Sequence, residues 1–134
     1  MSLEDNKILI RRLKDEVINS RDSAAADRFF AESYRNNVPG REPGLVGLKL
    51  ALDEFFSAFP DVSETIDEIV AEGDKVATQG TIRATHRGTF MGVPPTGRTV
   101  TFTIQEVSRL EDGKVQEQWV SIDLFGLMNQ ISPG

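Results

Sequence analysis

The chain has 134 residues, with 15 Lys and Arg against 21 Asp and Glu for a net charge of −6, one histidine and no cysteine. These counts exclude a disulfide frame, thiolate zinc or iron–sulfur sites, a cysteine nucleophile and any multi-histidine metal cluster. The length suits a single domain over residues 1–134. Between Asp61 and Asp74 the charged residues are all acidic, a stretch that reads as a solvated edge, and no basic stripe lies elsewhere to release counterions, which argues against nucleic-acid binding. No apolar run approaches the roughly 18 residues of a membrane span. The start of the chain, with Glu4, Asp5, Lys7, Arg11 and Arg12, is no signal peptide, and a cytoplasmic protein without membrane contact is expected.

In chain order, Leu3, Ile8, Leu9, Leu13, Val17 and Ile18 follow a helical period behind Ser2 as N-cap. A short second helix is predicted over Ala24–Phe30, followed by a loop with Asn36, Asn37, Pro39, Gly40, Pro43 and Gly44. A third helix covers Leu45–Phe59 and stops at Pro60. The period then becomes alternating and predicts strands over Thr65–Glu72, Lys75–Arg87, Thr99–Leu110 and Lys114–Leu124. Helices followed by an antiparallel meander define an α+β fold with helices over one sheet face.

Asp112-Gly113 is a two-residue hairpin turn that sets a register by pairing Glu111 with Lys114. Continued without a break, it places Leu110 opposite Val115, Ser108 opposite Glu117, Glu106 opposite Trp119, Ile104 opposite Ser121 and Phe102 opposite Asp123, all on the inward face. On the preceding strand, His86 shares the parity of the inward set and falls opposite Phe102 if the longer hairpin closes suitably. Burying Glu106, Glu117, Asp123 and His86 without partners is costly, so the pattern predicts a cavity in which they meet a ligand. A carboxylate in apolar walls beside an imidazole is suited to proton transfer near neutral pH. Each residue also has a plainer role: Asp123 as a cap for the turn at Leu124–Leu127, Trp119 as core, His86 as a structural histidine, and Glu106 and Glu117 as solvated acids. No glycine-rich phosphate loop, dinucleotide fingerprint, Gly-x-Ser-x-Gly elbow or metal-ligand spacing occurs.

Ala58-Phe59-Pro60-Asp61, Ala71-Glu72-Gly73-Asp74-Lys75-Val76-Ala77, and Thr85-His86-Arg87-Gly88 with Phe90, Gly92 and Pro94-Pro95-Thr96-Gly97-Arg98 form an ordered series. It continues through Asp112-Gly113-Lys114-Val115, Glu117, Trp119, Asp123, Gly126-Leu127 and Gln130. Over residues 8–131 the chain resembles the SnoaL-like polyketide cyclases, or ester cyclases. The resemblance implies a cone-shaped barrel of the nuclear-transport-factor-2-like superfamily, with three N-terminal helices on a curved antiparallel sheet, usually as a homodimer. It also implies ring closure by intramolecular aldol condensation without metal or cofactor, with Asp123 at the position of the acid/base aspartate.

The expected function is therefore a cofactor-independent acid/base enzyme acting on a small hydrophobic carbonyl compound. Asp123 would abstract a proton α to a carbonyl and His86 would orient or donate to the enolate. Trp119, Phe102, Ile104, Glu106, Glu117 and Ser121 would line the substrate site. The alternatives are a non-catalytic ligand-binding or dimerisation module and an epoxide-hydrolase-like hydrolase, the latter needing an inward Asp–Arg–Asp network. Dimerisation is expected through an outer face carrying Val107, Val120 and Ile122.

Overall fold

The computed structural model describes residues 2–38 and 44–132. Helix α1 spans Leu3–Leu13. It opens with a capping box in which Asp5 N donates to Ser2 Oγ at 3.0 Å and Ser2 N to Asp5 Oδ2 at 3.2 Å. Glu4 and Asp5 in its first turn and Arg11 and Arg12 in its last complement the helix dipole. The helix does not end at Leu13 but widens into a π turn over Lys14–Asn19. A 3₁₀ turn, Ser23–Arg28, occupies the place of the predicted second helix.

Strand β1, Phe30–Asn36, was not expected from the sequence. Predicted loop residues Pro39, Gly40 and Pro43 lie outside the described residues. Helix α2, Leu45–Ala58, matches the predicted third helix. Strands β2 (Ser63–Glu72), β3 (Lys75–Thr85), β4 (Thr99–Glu111) and β5 (Lys114–Ile122) fall within two residues of their predicted ends, and α3 spans Leu124–Ile131. The five strands form one sheet in the order β1-β5-β4-β3-β2. It is α+β as expected, with helices packed on one face, but the sheet is not wholly antiparallel, because β1 runs parallel to β5.

The turn chemistry was correctly legible. Asp112 (φ 53°) and Gly113 (φ 73°) take the left-handed conformations of a tight hairpin turn, and Glu111 pairs with Lys114. The expected register then fails after two pairs. Leu110 pairs with Val115 but Arg109 pairs with Glu117, so Gln116 is an extra residue in a β-bulge. Beyond it Val107 faces Trp119, Gln105 faces Ser121 and Ile104 faces Ile122. A period of two has no tolerance for one inserted residue, so every side chain of β5 past Gln116 turns to the face opposite the expected one. A second bulge at Asp67 switches β2 in the same way, so that Glu64 and Ile66 face inward on one side of it and Ile69 and Ala71 on the other.

The inner face is apolar at both ends. At one end α1 contributes Ile10 and Leu13 and the π turn Val17, packed with Phe29, Phe30, Leu48, Val76, Leu110 and Val115. At the other, α2 and α3 contribute Phe59, Leu127 and Ile131, packed with Val62, Ile82, Val100, Phe102 and Ile104. Along β4 the inward residues run Val100, Phe102, Ile104, then Glu106 and Ser108, then Leu110, which leaves a polar band between the two cores. Beyond Ile104 strand β4 has no β5 partner, and α3 takes over there. Gln130 receives the Thr101 N–H at 2.9 Å and donates to the Thr101 carbonyl at 2.8 Å. Arg98 in turn donates to the carbonyls of Gln130 and Ser132.

Candidate functional site

The bulge at Gln116 redistributes the expected site. Trp119, Glu117 and Ser121 stand on the outer face, with Trp119 40% exposed, and their assignment to the inner wall is corrected. Glu117 accepts from Asn37 Nδ2 at 2.8 Å and lies 3.5 Å from Arg109 Nε. Val120 and Ile122, expected on the outer dimer face, share the inward parity instead. Asp123 is exposed at the start of α3, where its Oδ1 accepts the Gly126 N–H at 2.9 Å as N-cap.

His86 is inward and fully buried, though opposite Arg98 and not Phe102, which pairs with Ile82. Its Nδ1 accepts the Thr96 N–H at 3.2 Å and lies 3.0 Å from Thr96 Oγ1, its ring packs on Phe59 with centroids 5.5 Å apart, and Nε2 has no hydrogen-bond partner among the described residues. No hydrogen bond or ion pair joins His86 to Asp123 among the described residues. Phe102, Ile104 and Glu106 are inward and buried.

What the structure gathers in the polar band is a different set. Lys14, Glu64 and Glu106 are 4%, 6% and 8% exposed. Lys14 Nζ lies in close contact with Glu106 Oε1 and 3.0 Å from Glu64 Oε2. Gln118, turned inward by the bulge, donates to Glu106 Oε2 at 3.1 Å and to Ser108 Oγ at 2.9 Å, and accepts from Tyr34 Oη at 2.8 Å. Asn36 Oδ1 is buried beside this chain on β1 and has no hydrogen-bond partner among the described residues.

The local causes are readable. Residues five apart stack on one side of a π turn, so Lys14 and Asn19 both face the sheet. Asn19 then grips the edge strand, accepting the Glu64 N–H at 2.7 Å and donating to the Glu64 carbonyl at 3.2 Å. Burial opposes the charge on Lys14, but the two carboxylates outweigh it and hold the ammonium above its ordinary range. Burial pushes the Glu64 carboxyl up, with Lys14 opposing and Glu106 reinforcing that shift.

Sequence reasoning missed Lys14, Glu64 and Gln118. Lys14 had a signal, since it follows Ile10 by four and precedes Val17 by three on the buried stripe. Glu64 lay in the acidic stretch read as solvated, and its burial corrects that reading. Gln118 was hidden by the bulge. Among the described residues the cation of the polar band is a lysine, and no Asp–Arg–Asp network of the hydrolase alternative is formed.

The family model of the SnoaL-like polyketide cyclases matches residues 8–131, and the chain belongs to that family. Among solved structures it is similar to AclR, a candidate hydroxylase from Streptomyces galilaeus, at 30% identity and TM-score 0.90 over 97% of each chain. IdmH, a candidate polyketide cyclase from Streptomyces antibioticus, is 33% identical with TM-score 0.80 over 93% of this chain and 96% of its own. TsrD from Streptomyces laurentii is 27% identical with TM-score 0.89 over 98% of both. Among curated proteins no match was found. Two similar folds thus carry different activity names, and the chemistry has to be argued from the site. No helix among the described residues is long and apolar enough to cross a membrane.

Proposed function

We propose that this chain is a cofactor-independent acid/base enzyme of the aldol-cyclase type, acting on a small hydrophobic carbonyl compound at the polar band. The observation that carries this reading is the buried ion pair of Lys14 with Glu106 between two apolar cores. Glu106 is the base, oriented by Gln118, and Lys14 is the cation at which an enolate oxygen gathers charge. Phe102 and Ile104 are the neighbouring apolar wall. A carboxylate base suits a carbon flanked by two carbonyls, whose proton is acidic enough to transfer to it. The three groups are nearly buried, and Glu106 also borders an open groove of about 520 Å³.

The test is the rate of α-deuterium exchange of an aryl 1,3-dicarbonyl compound in D2O above the buffer rate, followed by proton NMR. Glu106→Gln should abolish the enhancement and Asp123→Asn should retain it. The reverse pattern would return the role of base to Asp123, the position of the family aspartate.

A second reading, a non-catalytic module that uses the fold to dimerise, is favoured by the closed interior together with the outer face. There Val70, Ala77, Val107 and Trp119 border an open groove of about 520 Å³. In either reading these side chains are the contact surface of a homodimer. Trp119→Glu should halve the mass measured by light scattering, and an already monomeric wild type would refute the interface.

A further inference from the structure

Lys14, Glu64 and Glu106 bring one positive and two potentially negative charges into a nearly buried site. With both carboxylates ionised the band would hold a net negative charge in a low-dielectric interior, an arrangement that proteins avoid. One bound proton removes it, and the geometry says where that proton sits. Glu106 has the closer contact to Lys14 and also receives Gln118 Nε2–H, two donors that favour the ionised form. Glu64 has only Lys14, and its Oε2, although 3.0 Å from Nζ, makes no hydrogen bond among the described residues.

The fold nonetheless builds a seat for this weaker partner. Asn19 clamps both backbone groups of Glu64. Gly80, inward on β3, leaves the space beneath its carboxyl, since a Cβ there would lie 3.0 Å from Glu64 Oε2 and 2.9 Å from the Thr65 carbonyl oxygen. Among the described residues, Lys14 from the π turn and Glu106 from β4 are the charged groups that face Glu64 from the elements packed against it.

We propose that Glu64 is a positioning residue that holds the resident proton of the band, so that Lys14 balances Glu106 alone and its charge is released when Glu106 takes a proton from substrate. The inference rests on the acid/base reading. In the resting site Lys14 is positive, Glu106 negative and Glu64 neutral. The C–H bond breaks, its proton goes to Glu106 and its electron pair to the enolate, which then faces an uncompensated ammonium. The enolate carbon bonds to a second carbonyl, and the alkoxide so formed takes the proton back from Glu106. Glu64 keeps its proton throughout. Were it ionised, Lys14 would stay compensated at the enolate stage and stabilise little. Burial, which pushes the Glu64 carboxyl up, supports the same assignment.

The experiment is infrared spectroscopy of the wild-type protein near neutral pH in H2O and D2O. The proposal expects the deuterium-sensitive carbonyl band of a buried carboxylic acid, present in the wild type and absent in Glu64→Gln, and absent also in Glu106→Gln, where Glu64 is left as the counter-charge of Lys14. Gly80→Ala, whose added methyl group crowds the seat, should shift the band. Glu64→Gln, a neutral isostere, should keep deuterium exchange within about tenfold, about 1.4 kcal/mol, and remove the loss of rate that the wild type shows as rising pH ionises Glu64. No band in the wild type, a band kept in Glu64→Gln, or a band that Gly80→Ala leaves unmoved overturns the inference whatever the exchange rates are. Exchange surviving in Glu106→Gln sinks the catalytic reading and leaves the spectroscopic assignment standing.

Discussion

His86 and Lys14 are both buried titratable residues on the inner face, yet their surroundings differ in kind. His86 stands in an apolar wall, bound at one ring nitrogen by Thr96 and backed by Phe59, and its other nitrogen meets no partner among the described residues. Lys14 is one node of a chain running through Glu64, Glu106, Gln118, Ser108 and Tyr34. A single polar group with one neighbour can be held but has nowhere to pass a proton. A connected set can exchange charge internally, and its members depend on one another. Burial alone therefore does not mark a reactive group.

That contrast can be broken most forcefully at its cation. Lys14→Met leaves the Glu106 carboxylate in the interior without a counter-charge and should cost about 3–5 kcal/mol, read as a lower urea midpoint. Adding Glu106→Gln to it should recover part of the loss, because the uncompensated charge is then gone. His86→Leu should cost less, about 1–3 kcal/mol for the abandoned Thr96 bonds, and should leave deuterium exchange unchanged. An exchange defect there would make His86 part of the reacting site.

The pH dependence of stability sharpens the same contrast. Glu64 is raised in the folded chain, so the folded state binds its proton more tightly than the unfolded one does. Its contribution is full below the ordinary carboxylate value and is lost as pH rises through the folded value. Wild type should weaken along that rise and Glu64→Gln should not, as measured by urea midpoints across the range. The smallest effect belongs to Asp123. Removing its cap in Asp123→Ala should cost about 1 kcal/mol, whereas Asp123→Asn, an equally good cap, should change stability by a few tenths.

The fold class was legible because alternation and turn residues are local signals, and Asp112-Gly113 located the central hairpin. Strand β1 was not, since Phe30–Asn36 mixes apolar and charged residues without a clear period and pairs with β5 in parallel, far along the chain. The site was legible only where the ladder is regular. Phe102, Ile104 and Glu106 lie on β4, which runs unbroken against β3. Trp119, Glu117 and Ser121 lie past Gln116, and a bulge is a decision between two strands that neither records in its own pattern.

The hold of Gln130 on both backbone groups of Thr101 has a consequence for solubility. Where β5 ends, β4 would otherwise offer an open row of donors and acceptors to any extended chain. The amide of Gln130 occupies that row as a strand would, and Arg98 fastens the helix that carries it. Helix α3 is thus a guard on an exposed edge, and a chain cut after Asp123 would lose its resistance to edge-to-edge aggregation as well as packing energy.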